Sequence, residues 1–149
     1  MIVVWGIAVL CTLFLSSCKR PEVLDNSTLV NSARNVALTF GPAYVPFFKE
    51  ANVSDVQVFK KKDYGGDSRP QIRKQIGRKF YTVTFTYDST AVKFDFGFAA
   101  RVRIWKDTGE PLDVIFGNGW GRNFFFLSFK EQTNHSPNDY EKVASDSIV

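Results

Sequence analysis

The apolar residues of this chain change their period once, and that change constrains the fold more than any other feature. Leu29, Ala33, Val36, Ala37, Phe40 and Tyr44 recur at three- and four-residue spacings, the stripe of one helix face. Asn26 or Ser27 is expected to supply the N-cap oxygen. Gly41-Pro42 should break or kink the helix, and Pro46 should open a second short turn as far as Glu50. From Val53 the period becomes two. Val56 and Val58 start a strand that ends in Lys60, Lys61 and Lys62. Tyr81, Val83, Phe85 and Tyr87 alternate with Thr82, Thr84 and Thr86, a half-buried strand pattern. Val92, Phe94, Phe96, Phe98, Ala100, Val102 and Ile104 then alternate with mostly polar residues, a run long enough for Gly97 to mark a bulge or bend. Residues 106–110 read as a turn, residues 112–116 as a further strand, and residues 123–129 close the series. Fifteen Phe, five Tyr and three Trp make the expected core aromatic, with Phe85 and Phe96 inside it.

A helix followed by a meander predicts an α+β domain: one N-terminal helix packed on a curved antiparallel sheet of about four to five strands. This order resembles the cystatin-like and NTF2-like folds across most of residues 27–129, by topology and without a motif. The NTF2-like resemblance admits enzymes, ligand carriers and structural domains, and the cystatin-like one admits a protein inhibitor or an immunity-type factor. Fold alone does not choose among them.

The chain before the helix carries an address. Ile2 to Leu15 is a run of fourteen uncharged residues, roughly 21 Å as a helix. A bilayer span needs about twenty, so the run fits the apolar part of a signal peptide. Leu15-Ser16-Ser17-Cys18 follows, then Lys19-Arg20-Pro21. The combination resembles a bacterial lipobox. The resemblance implies cleavage before Cys18, lipid on its thiol, and a membrane anchor in the bacterial cell envelope. In that family an Asp after the cysteine signals retention in the inner membrane, so Lys19 implies the outer membrane. The expected organisation is a signal peptide (1–17), a tether (18–26), one domain (27–130) and a polar tail (131–149). Removing seventeen of 149 residues leaves 132, enough for one independent core. It also removes Cys11 and leaves Cys18 acylated, so no thiol remains for disulfide, catalysis or zinc.

Catalytic patterns are scarce, and no catalytic residue, metal site or cofactor is assigned. The single histidine, His135, stands in the polar tail, a poor mount for a general base. Asp63-Tyr64-Gly65-Gly66-Asp67-Ser68 lacks the alternating oxygens and distal Glu of a calcium loop and reads as a hairpin or loop tip. Asp95 and Asp113 are the carboxylates a small NTF2-like enzyme would use. Each reads more simply as a solvent-facing strand residue. The expectation is a protein without enzymatic activity.

Two features point to binding. Residues 60–103 hold eleven Lys and Arg against four Asp, in a chain whose formal charge is +4. Lys60, Lys61, Lys62, Arg101 and Arg103 are the candidate surface. An anionic glycan, a lipid head group or an acidic protein would fit it, while a lipid anchor keeps the domain away from nucleic acid. The other feature is Gly117-Asn118-Gly119-Trp120-Gly121, a tight connection whose Trp120 either presents a stacking ring or folds back over the core.

Overall fold

A computed structural model describes residues 24–134 of the chain. The apolar leader, Cys18 and His135 lie outside the described residues. Helix α1 (Asn26–Phe40) buries Leu29, Ala33, Val36 and Ala37, the face the spacing selects. Its N-cap is Asp25, neither Asn26 nor Ser27. The Asp25 carboxylate accepts from the Thr28 amide at 2.7 Å and the Ser27 hydroxyl at 2.9 Å, satisfying donors that the first turn leaves open. The helix stops at Gly41, where any side chain would run into the Phe116 ring. A 3₁₀ turn over Pro42–Phe47 follows, so Pro46 lies inside this turn instead of opening one.

Six strands form one antiparallel sheet: β1 (Ala51–Val53), β2 (Gln57–Val58), β3 (Lys79–Phe85), β4 (Ala100–Trp105), β5 (Pro111–Phe116) and β6 (Gly121–Asn123). Their order is β1-β3-β4-β5-β6, with β2 paired to the same edge of β3 as β1. The α+β architecture expected from the change of period is the one observed. Between β1 and β2 the edge is interrupted at Ser54. Its amide donates to the Thr82 carbonyl at 2.9 Å, and its hydroxyl accepts from the Thr82 amide at 3.0 Å, so a side chain replaces one ladder bond.

The long alternating run is corrected. Only residues 100–105 are strand, and residues 95–99 bend away. Ala100 faces Phe85, the last residue of β3, and Phe116, the last residue of β5. Before it, Ala99 still donates to the Phe85 carbonyl and accepts from the Gly117 amide, but no register pair continues on either side, so alternation does not hold residues 95–98 extended. Phe96 is accordingly 46% exposed, while Phe85 is fully buried. The bulge falls elsewhere too. The register shifts between Arg103 and Ile104, whose partners are Asp113 and Pro111, making Leu112 the extra residue. The first strand is also out of phase: Val56 and Val58 are exposed and Phe59 is buried.

Two apolar clusters lie on opposite faces of the sheet. Beneath α1, the four buried helix residues meet Val83, Phe85, Ala100, Val102, Ile104, Val114 and Phe116. On the other face, Phe59, Ile72, Phe80, Trp105 and Leu112 form a smaller cluster with Tyr64 and Phe125 against it. Ile72 comes from the short helix α2 (Pro70–Arg73). The expected polar tail begins instead as helix α3 (Phe129–Asn134), docked by Phe129 on Phe40 and Phe124 at 5.8 and 5.7 Å. Buried Gln132 donates to the Asn123 carbonyl at 2.7 Å and the Leu127 carbonyl at 2.9 Å. Gln132 thereby caps the β6 edge with a side-chain amide.

Candidate functional site

The second cluster covers only the part of the outer sheet face near the β4–β5 turn. The remainder is open. Strand register places Thr82 opposite Arg103 and Thr84 opposite Arg101, then Asp113 and Ile115 on the next strand. Ser54, Gln57 and Asp63 close one side. With Phe80, and without Asp113, these residues line an open groove of about 560 Å³, within the range of small-ligand sites. A second hollow of about 410 Å³ adjoins it and adds Val58, Lys60 and Lys62.

Arg103 lines the groove and is held there by Asp113. Arg103 donates from Nε to both Asp113 oxygens, at 2.9 and 3.1 Å, and from Nη2 to Oδ2, a fork-on-carboxylate pair. Asp113 is 5% exposed, which corrects the expectation of a solvent-facing strand residue. Burial works against the charged form of Arg103, but the hydrogen bonds and charge of Asp113 outweigh it and hold its pKa above the usual arginine value. The carboxylate is therefore committed to a cation, and Asp95 is exposed in the bend before β4. The structure does not bring these two acids together in a pocket.

Arg101 differs from its neighbour two residues along. It is exposed, has no carboxylate partner among the described residues, and its guanidinium carbon lies 4.2 Å from the centre of the Phe98 ring. A cation over an aromatic face is held in place without losing its charge. Thr82 donates its hydroxyl to Gln57 Oε1 at 3.0 Å, so the groove wall is itself hydrogen bonded.

The lysines stand on a turn, not at a strand end. Lys60 precedes a 3₁₀ turn over Lys61–Tyr64, whose Asp63 carboxylate accepts from the Lys60 amide at 2.6 Å. Two left-handed glycines, Gly65 and Gly66, then lead into Asp67, which pairs with Arg69 at 2.7 Å; no hairpin forms. The basic run is less basic in space than in sequence. Arg69 is neutralised by Asp67, Arg78 by Asp107 at 2.6 Å, and Arg103 by Asp113. Two of those acids lie beyond residue 103, so counting along the run overstates its local charge. Lys60, Lys62 and Arg101 remain around the two hollows.

Trp120 is elsewhere. It stacks on Phe116 at 5.4 Å, at the far end of the core under α1, and is 42% exposed. Arg122 lies 5.6 Å from its ring centre. Its loop is the β5–β6 turn, with Gly119 at φ 85° where a β-carbon would be strained. It both covers the core and presents ring surface, but not to the basic groove. Periodicity gives no hint of Ser54, Gln57, Thr82, Thr84 or Ile115 as groove residues. One signal was available: reflection about Thr108, the middle of the expected turn, pairs Arg103 with Asp113.

Among the described residues no cluster of three or more His, Cys, Asp or Glu could hold a metal ion, and no helix is long and apolar enough to cross a membrane. Compared with family models, curated proteins and solved structures, the chain finds no match.

Proposed function

We propose that the protein is a lipid-anchored, non-catalytic binding module of the bacterial cell envelope, held at the outer membrane through Cys18. Its ligand-facing surface is the open sheet face with Arg101, Lys60 and Lys62 around it. The observation that carries this reading is the groove itself. A sheet face that could have been closed by apolar side chains is instead lined with hydroxyls, an amide and a guanidinium that has no carboxylate partner among the described residues. Leaving that cation at a concave polar surface favours an anionic partner. The anchor rests on the apolar run and Leu15-Ser16-Ser17-Cys18. Two or more acyl chains give durable attachment where one chain is marginal.

Both halves can be tested separately. Labelled palmitate should enter the wild-type chain and not Cys18→Ala, which should leave the membrane fraction while its domain stays folded; an unlabelled wild-type protein ends the anchor reading. For the surface, the chain should bind a highly sulfated polysaccharide at low salt and release it as salt rises. Reversing Lys60, Lys61 and Lys62 to Glu should remove most of that binding, and no binding at any salt concentration would refute the basic-surface reading.

A further inference from the structure

Resting on the binding-module reading, we propose that the groove over β3, β4 and β5 takes a single oxyanion carried on a sugar-sized polar body. The Arg101 guanidinium grips the oxyanion, with the open edge of Arg103 beside it. Size speaks first. About 560 Å³ suits one small ligand, and Arg69 and Arg78, each paired with its own carboxylate, are not among the lining residues.

Charge speaks next. Arg103 and Asp113 cancel, but their fork fixes the guanidinium plane, and Arg103 Nη1 has no protein acceptor among the described residues. Arg101 is two residues away on the same strand face, about 7 Å by strand rise. Its uncompensated charge is held against Phe98, so little side-chain freedom is lost when an anion arrives. One neutralised and one free guanidinium, both pre-oriented, match one oxyanion better than two. A planar guanidinium also presents paired donors to the paired oxygens of a phosphate, sulfate or carboxylate.

The rest of the lining describes the body that carries the charge. Ser54, Gln57, Thr82 and Thr84 offer hydroxyl and amide groups, Phe80 and Ile115 give apolar edges, and the one lining carboxylate, Asp63, is engaged by the Lys60 amide. That mixture suits a saccharide, which has hydroxyls around its rim and C–H groups on its faces.

The test uses the full chain in non-ionic detergent, titrated calorimetrically at low salt with glucose 6-phosphate, glucose 6-sulfate and glucuronate. Glucose and inorganic phosphate serve as controls. At least one charged sugar should saturate at one per chain and bind about tenfold or more tighter than either control. Arg101→Gln should weaken it about tenfold or more, and Arg101→Lys, which keeps charge but loses the fork, should recover only a small part. Thr84→Val should cost a few-fold. Arg101 is exposed, so near-ultraviolet circular dichroism should show these variants folded.

The three anions decide which oxyanion fits. Failure of all three, equal binding of glucose, or wild-type affinity in Arg101→Gln would each overturn the proposal. If the sulfated polysaccharide binds and depends on Lys60, Lys61 and Lys62 but not on Arg101, the groove assignment falls and the module reading stands. If neither polysaccharide nor charged sugars bind, both fall.

Discussion

Phe85 and Phe96 alternate with polar neighbours in the same way, yet the fold assigns them opposite fates, so truncating each to Ala tests the sheet boundary at Ala100. Phe85 is fully buried and stacks on Phe48 at 4.2 Å with the rings 8° from parallel. Its ladder neighbours are Ala51 and Ala100, too small to fill the space its ring would vacate. A Phe-to-Ala change in a core costs about 3–5 kcal/mol, and a site that cannot collapse belongs at the upper end. Phe96 is 46% exposed and touches Phe98 at 5.4 Å. Full burial of such a side chain contributes up to about 3 kcal/mol, so half-burial with no cavity should cost about 1 kcal/mol. With a urea slope of about 1.5 kcal/mol per molar, Phe85→Ala should move the midpoint by about 2–3 M and Phe96→Ala by less than about 1 M. Urea melts of a soluble form beginning at Lys19, followed by far- and near-ultraviolet circular dichroism, would measure both. Equal midpoint shifts would mean that β4 extends back through Phe96 and that the reasoning about unpaired residues before Ala100 is wrong.

Asp113→Ala should destabilise by about 2–3 kcal/mol by leaving the half-buried Arg103 without its counter-ion, whereas Arg103→Met with Asp113→Leu should recover most of that loss. Equal melts for single and double variants would show that the pair is not the issue. Gly41→Ala drives a β-carbon into the Phe116 ring and should cost about 1–3 kcal/mol in thermal melts, although φ there is −148° and unstrained. The Asp25 carboxyl is held below its usual value of about 3.8 by the Thr28 amide first, then by the Thr28 and Ser27 side chains. Its stabilisation is therefore complete above that value and disappears as pH falls through the lower folded-state value. Asp25→Asn should flatten the stability–pH curve below about pH 4, and an unchanged curve would remove the carboxylate from the cap.

The parts of the fold legible in the sequence are those where one residue type repeats on one face. α1 is marked by Leu29, Ala33, Val36 and Ala37, and β3 by Val83 and Phe85 between threonines. What the pattern does not carry is where a neighbouring strand ends. Phe94 and Phe96 keep the alternation of a strand, but a strand needs partners, and those stop at Phe85 and Phe116. The same limit explains the candidate site. Arg101 and Arg103 are visible as alternating cations, but register alone tells that Arg103 meets a carboxylate and that Arg101 meets Thr84 and Ile115. Lys61 and Lys62 resemble a polar strand end until Asp63 folds back to the Lys60 amide and curls the segment into a turn. Trp120 is assigned to a tight loop correctly, but the face it lands on follows from the pairing of β5 with β6.

The placement of the groove also bears on how an anchored chain would be loaded. The Leu24 side chain packs over Gly109, so the described chain enters at the β4–β5 turn. Arg101 lies four residues up β4 from Trp105, about 13 Å farther on. If Cys18 carries lipid, the six residues from there to Leu24 reach at most about 20 Å. A domain standing upright on that tether holds Arg101 more than one Debye length, about 8 Å at physiological salt, from the head groups. The field of its own membrane is then largely screened at the groove, and a ligand arrives from the aqueous side. A domain lying on its outer sheet face would instead press Lys60, Lys62 and Arg101 against the surface and occlude the groove. The two postures make opposite demands: vesicle-bound wild-type chain should bind a charged sugar as well as detergent-solubilised chain if upright, and more weakly on anionic than on neutral vesicles if lying down. Equal affinity on vesicles and in detergent therefore marks the upright posture, and a large loss of sugar affinity on anionic vesicles marks the lying one.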